Sequence, residues 1–224
     1  SRIVSVISAR QEILVFTDSS LHSMQFLGTF DVFGLQELDP HISIAGPRAR
    51  IGVDGVVYWM GTDKFYMYNG KVATLPCTLR DHVFDNLNFD ALDYVYAGTV
   101  EAYNEIWWFY PSANSVINDS YVAYNYKDNV WFYGNLERSA WLDSSLRSYP
   151  QATDQTYLYN HELGNDADGS AMTSFITSSD VDIADGDRFT LVKRIIPDID
   201  FSTSTTSQPT DLLSVKPRSF NGRT

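Results

Sequence analysis

The residues that come closest to a metal site are Asn165-Asp166-Ala167-Asp168-Gly169, where oxygen-bearing side chains alternate ahead of a glycine as in calcium loops. The run lacks the third alternating acid and the distant glutamate that complete roughly six to eight oxygen ligands. It therefore reads as a solvated turn, and so do Asp182, Asp185 and Asp187 around Gly186. No pair among His22, His41, His82 and His161 has metal-ligand spacing, so no local zinc signature exists. Cys77 is the single cysteine; it excludes an internal disulfide and reads as a small buried apolar residue. The chain has no G-x-S-x-G elbow, no phosphate-binding loop and no G-x-G-x-x-G turn. Carboxylate pairs abound, as in any acidic chain, but sequence alone does not promote them to a general acid and base. The expectation is a protein without enzymatic activity, catalytic residues, metal or cofactor.

Charge is the stronger signal. The net charge is −12, and residues 81–187 hold 18 acids against three bases, Lys127, Arg138 and Arg147. Such a surface repels phosphates instead of gripping them. Two readings stay open: an ordinary solvated surface, or the wall of a channel along which DNA slides without sticking. For the second, the loop acids Asp119, Asp128, Asp166 and Asp168 are the first candidates to face the channel. As turn residues they are expected to accept lysine with little loss of fold. Trp59, Trp107, Trp108 and Trp131 lie inside strand-like runs and read as packing residues, which leaves Trp141 as the ring freest to stack on a sugar.

The elements that would position these residues are strands. Aromatics make up 14% of the chain, and flat rings suit a pleated, half-buried surface. The run EILVF at 12–16 turns at Thr17-Asp18-Ser19-Ser20 into LHSMQF, whose apolar residues are Leu21 and Phe26 with Met24 displaced. VVYWM turns through Gly61-Thr62-Asp63 into FYMY and then Asn69-Gly70. EIWWFY leads to YVAYNY, which turns at Lys127-Asp128-Asn129 into VWFYG. A weaker unit starts at TYLY. Unit starts at Ile13, Val56, Ile106 and Tyr157 are 43, 50 and 51 residues apart. That period, with three or four strands each, predicts an all-β chain of β-propeller-like antiparallel blades. Runs apolar at every position, such as Ile106 to Tyr110, suit strands covered on both faces. The repeated signatures of sialidase, WD40 and kelch propellers are absent. Residues 80–93 break the pattern: Val83, Phe84, Leu87 and Leu92 fall at helical spacing and predict a short helical insertion. Residues 1–201 are expected to form the body, ending in a strand at 189–196. Residues 202–224 are a polar linker and the start of a further strand segment. No apolar run is long enough for a membrane span. The strand-like start without a methionine, and the abrupt end, suggest a piece of a longer polypeptide.

The phrases SARQEILVFTDSSLHSMQFLG, VVYWMGTDKFYMYNGKVATLP, NEIWWFYPSANSVINDSYVAYNYKDNVWFYG and AWLDSSLRSYP resemble a virion protein of short-tailed bacteriophages, of the packaged-DNA stabilisation or tail-nozzle type. The resemblance spans about residues 8–197. It implies a structural role: a propeller-like body and a ring of copies, typically six, at the distal end of the tail below the portal and adaptor. The ring closes the channel over packaged double-stranded DNA, which passes without sequence-specific binding during ejection. It implies a place in the virion, assembled in the host cytoplasm, and no catalytic residues. The alternative is an extracellular carbohydrate-binding or glycan-cleaving propeller.

Overall fold

The computed structural model describes residues 2–144, 146–164, 166–167, 169–171, 191–202 and 210–215. By internal contacts the chain divides into two compact units, Ser1–Leu163 and Gly164–Thr224.

The first unit is a succession of antiparallel sheets whose strands follow one another in chain order. The first sheet holds β1 (Ile3–Ser8), β2 (Ile13–Thr17), β3 (Leu21–Phe26) and β4 (Phe33–Asp39). The second holds β5 (Arg50–Val53), β6 (Val56–Met60), β7 (Phe65–Tyr68) and β8 (Val72–Leu75). The third holds β9 (Tyr96–Val100), β10 (Glu105–Tyr110), β11 (Ser120–Asn125) and β12 (Val130–Asn135). The fourth has three short strands, β13 (Ala140–Leu142), β14 (Gln151–Thr153) and β15 (Leu158–Asn160). The leading strands stand side by side: β1 by β5, β5 by β9, and β9 by β13. Parallel pairing of Arg48 with Tyr96, and the bond from the Ala97 N–H to the Arg48 carbonyl at 2.9 Å, tie the second sheet to the third. The second unit contributes the hairpin β16 (Asp166–Ala167) and β17 (Ser170–Ala171).

The all-β expectation holds. The helical insertion lies where spacing placed it, as α1 (Arg80–Asp85) and a 3-10 segment (Phe89–Tyr94) that bury Val83, Phe84 and Ala91. A single further 3-10 turn follows at Glu101–Tyr103. Ile13, Val56 and Ile106 mark the second strand of each sheet, but Tyr157 precedes the third strand of its own. The cause is that β13 and β14, at three residues each, are too short to show alternation. The strand-like start is β1, but the leading strand β5 was not legible, although Asp54 and Gly55, both at positive φ (52° and 80°), form the two-residue turn that joins β5 to β6. Phe26 is exposed, not inward; the buried position beyond Leu21 is Ser23. Ser23 is tolerated there because its hydroxyl bonds to Glu12. The strand expected at 189–196 is not formed: residues 191–196 have no regular structure, and Phe189 and Thr190 lie outside the described residues.

Two cores share one strand. Ile106, Trp108 and Tyr110 of β10 enter a large cluster with Leu14, Phe16, Trp59 and Phe65 from the first two sheets. Trp107 and Phe109, on the opposite face, pack with Tyr96, Val100 and Ala123 and cover Trp141. Rings meet throughout: Phe16 edge-on to Trp59 at 5.2 Å, Phe65 against Trp108 at 5.0 Å and Trp131 at 4.8 Å. Each tryptophan N–H also finds an acceptor when its ring is covered. Trp59 donates to Ser43 O, Trp107 to Glu105, Trp108 to Ala49 O, Trp131 to Pro76 O and Trp141 to Thr99 O.

Glu12 joins the first sheet to the second. Its carboxylate accepts bonds from Ser23, Gln25 and the Tyr68 hydroxyl. Burial pushes this carboxyl up, but those three donors outweigh it and hold it below the usual range. Burial, then the hydrogen bond to Glu12, pushes Tyr68 up to about 12.

Gly98 lets Trp141 approach the third sheet, since a Cβ there would stand 2.5 Å from Trp141 Cδ1. Gly98→Ala should therefore destabilise the protein by about 1–3 kcal/mol through overpacking. Urea unfolding followed by tryptophan fluorescence measures this, and an unchanged midpoint would contradict the packing of Trp141.

Candidate functional site

Of the four proposed channel acids, the two in the first unit, Asp119 and Asp128, are not brought together. Asp119 and Asp128 flank β11 at its opposite ends, separated by six residues of strand or on the order of 20 Å. Asp119 is half-buried and shapes its loop: Oδ1 accepts the Ser112 N–H at 2.8 Å and Oδ2 the Ser112 hydroxyl at 2.7 Å. These bonds count against free replacement of Asp119 by lysine. Asp128 is exposed in the turn after β11, where Asn125 Oδ1 accepts its N–H and Asn129 takes φ of 58°. Asp166 belongs to the second unit and is exposed; its Oδ1 accepts the Gly169 N–H at 2.8 Å, which closes the hairpin turn. Asp168 lies outside the described residues, as do Asp182, Asp185 and Asp187.

The acids that do converge were missed. A cleft of about 300 Å³ opens between the 3-10 turn after β9 and the loop from β13 to β14, and Glu101, Asp143 and Glu162 line it. Asp143 Oδ2 accepts the Glu101 N–H at 2.7 Å, which locks the two loops together. Tyr103 and Tyr149 line the same cleft, and Arg147 is the one basic residue among the described residues that line it. Glu105 sits behind: burial raises its carboxyl, the Trp107 N–H opposes this, and the charge of Glu162 raises it further. The signal available in the sequence was charge density alone, because these acids lie up to about sixty residues apart and meet only through the pairing of β9 with β10 and the neighbourhood of β13. A raised carboxyl beside ionised ones can serve as a proton donor in hydrolytic clefts. Here burial beside Trp107 already accounts for it. Among the described residues, no three His, Cys, Asp or Glu side chains group as metal ligands.

Trp141 is not free to stack on a ligand. It stacks on Trp107 at 5.5 Å and meets the His161 ring at 4.7 Å. His161 ends a relay that braces the fourth sheet. Arg138 Nε donates to His161 Nε2 at 3.0 Å, and the guanidinium lies 4.1 Å over the Tyr159 ring. The Tyr159 hydroxyl donates to Asp154 Oδ2 at 2.8 Å. The backbone N–H groups of Tyr157 and Thr156, then Tyr159, hold Asp154 below the usual carboxylate range. Burial, then the charge of Arg138, lowers His161 to about 4.

No protein-family model matches the chain, and no curated protein matches it at a significant level of similarity.

Two outcomes follow from this geometry. The folded His161 value lies below the 6.5 of the free side chain, so its contribution to stability is complete above pH 6.5 and is lost as pH falls towards about 4. Titration of the His161 ring by NMR should give a midpoint near 4, rising in Arg138→Met; a wild-type midpoint of 6.5 would contradict the relay. Asp119→Lys should cost about 1–3 kcal/mol by orphaning the Ser112 donors, whereas Asp128→Lys should stay within about 0.5 kcal/mol. Chemical denaturation of both variants measures the difference, and equal losses would show that Asp119 does not organise its loop.

Proposed function

We propose that the chain is a structural, non-enzymatic virion protein in the tail of a short-tailed phage. It acts as a subunit of a ring of six copies that closes the tail channel over packaged DNA until ejection. The portal and adaptor and other tail proteins are its neighbours in this reading. Double-stranded DNA passes through without sequence-specific contact. The observation that carries the reading is the row of leading strands, β1, β5, β9 and β13, each beside the next and each followed in chain order by the other strands of its sheet. That is how propeller blades stand around an axis, and closing the remaining gap belongs to the proposal. The excess of acids over residues 81–187 supports it, because each lysine or arginine on a channel wall would hold DNA by releasing counterions.

One observation favours the alternative, a carbohydrate-binding or glycan-cleaving propeller. The cleft of Glu101, Asp143 and Glu162 also presents Tyr103 and Tyr149, and acids beside exposed rings suit a sugar. The structural reading is preferred because Asp143 is tied to the Glu101 backbone and Glu105 is raised by a packing cause.

Phage particles carrying Asp128→Lys with Asp166→Lys test the channel. Repulsion acts within about a Debye length, roughly 10 Å at 0.1 M salt. The variant particles should eject DNA more slowly, and the defect should shrink as salt rises. Normal ejection at low salt from correctly assembled particles would show that these acids do not face DNA. Release of sugar from host polysaccharide by the purified protein, lost in Glu162→Gln, would overturn the structural reading in favour of its rival.

A further inference from the structure

Residues 191–196, LVKRII, have the composition of a strand, with three β-branched residues among six, yet they form none. Their apolar side chains are in solvent: Leu191 is 80% exposed and Ile196 71%. The first sheet has the opposite deficiency. β4 pairs with β3 alone, so its outer backbone edge has no strand partner among the described residues. Phe33 and Leu35, on one face of β4, are 58% and 65% exposed, and the hairpin leading into it exposes Phe26, Phe30 and Val32. β4 contains neither lysine nor proline, the residues that commonly blunt an edge. An apolar strand without a sheet and an apolar sheet edge without a strand complete each other.

We propose that residues 191–196 of one copy add as an antiparallel fifth strand to β4 in the first sheet of a second copy. Charge selects the pairing. The donor carries Lys193 and Arg194 with no acid, and the acceptor carries Glu37 and Asp39 with no base. One antiparallel register along the regular part of β4, before its register shift at Leu38, sets Glu37 opposite Lys193 and Leu35 opposite Ile195, so that one ion pair and one apolar pair form together. Pro197 then falls opposite Phe33, at the end of the added strand, where a missing N–H costs least. The added strand gives main-chain hydrogen bonds for affinity and alternate side chains for register, as in other strand-addition contacts. Donor and acceptor are different surfaces, so the contact is heterologous and repeats from copy to copy into a ring or a filament. It does not depend on the phage reading: strand donation is a property of the chain in solution, whereas that reading stands or falls on DNA ejection.

Disulfide trapping tests the pairing. Two differently tagged full chains, one carrying Leu35→Cys and the other Ile195→Cys, are mixed and mildly oxidised. Native Cys77 is half-buried, and burial pushes its thiol up to about 11, so it takes little part in exchange. The expected result is a disulfide-linked pair containing both tags, and far less of it when Ile199→Cys replaces Ile195→Cys. In the absence of cysteines, Leu35→Lys and Ile195→Pro should each weaken self-association by about tenfold or more, read by analytical ultracentrifugation, with the melting temperature unchanged. A chain that stays monomeric, a disulfide formed only within one chain, or an oligomer that survives both substitutions would each overturn the proposal.

Discussion

The structure depends on one strand buried on both faces. Every residue of β10 from Ile106 to Tyr110 is buried, so its side chains cannot divide into a core face and a solvent face. They divide instead between two cores. Ile106, Trp108 and Tyr110 face the first two sheets, and Trp107 and Phe109 face Trp141 of the fourth. A sheet with two apolar faces must be covered on both, and a neighbouring sheet on each side is the economical cover. The side-by-side leading strands accord with this, because sheets whose strands follow in chain order can cover one another while their first strands lie side by side.

The tryptophan N–H groups make that stacking specific. Ring burial alone is non-directional, but a buried indole must also satisfy its one donor. Trp108 reaches from β10 to the Ala49 carbonyl just before β5, and Trp131 reaches from β12 to Pro76 just after β8. The third sheet thus holds the second at both ends of its chain segment. Trp141 repeats the device by reaching from β13 to the Thr99 carbonyl of β9. Sliding one sheet past its neighbour would leave buried donors without acceptors.

Much of this was legible in residue order, and the reasons differ by element. β6, β10 and β11 are long apolar runs, and the forces that bury them act locally enough to show as pattern. β13 and β14 are three residues each and are held by Trp141, His161 and Arg138, which lie far apart in sequence and meet only after folding. The segment at 191–196 shows the converse: strand composition is visible, but a strand also needs a partner edge, and composition does not supply one. The acidic half was read correctly as an excess of charge. The particular acids that meet, Glu101, Asp143 and Glu162, were hidden because their meeting is set by the pairing of β9 with β10 and the neighbourhood of β13.

The structural carboxylates among the described residues are satisfied mainly by neutral donors. The ion pairs among the described residues, Lys64 with Asp63 and Arg80 with Asp81, join sequence neighbours at the surface and contribute little. The carboxylates with structural roles use neutral donors instead: hydroxyls and an amide for Glu12, Ser112 for Asp119, a backbone N–H for Asp143, backbone and tyrosine for Asp154. Neutral hydroxyl and amide donors hold Glu12 and Asp154 below the usual carboxylate range. Charges at the surface act through the surrounding solvent over the screening length. With 18 acids against three bases over residues 81–187, ion pairing could not have satisfied every carboxylate there, and the neutral donors hold the structural ones in place without drawing on the few bases.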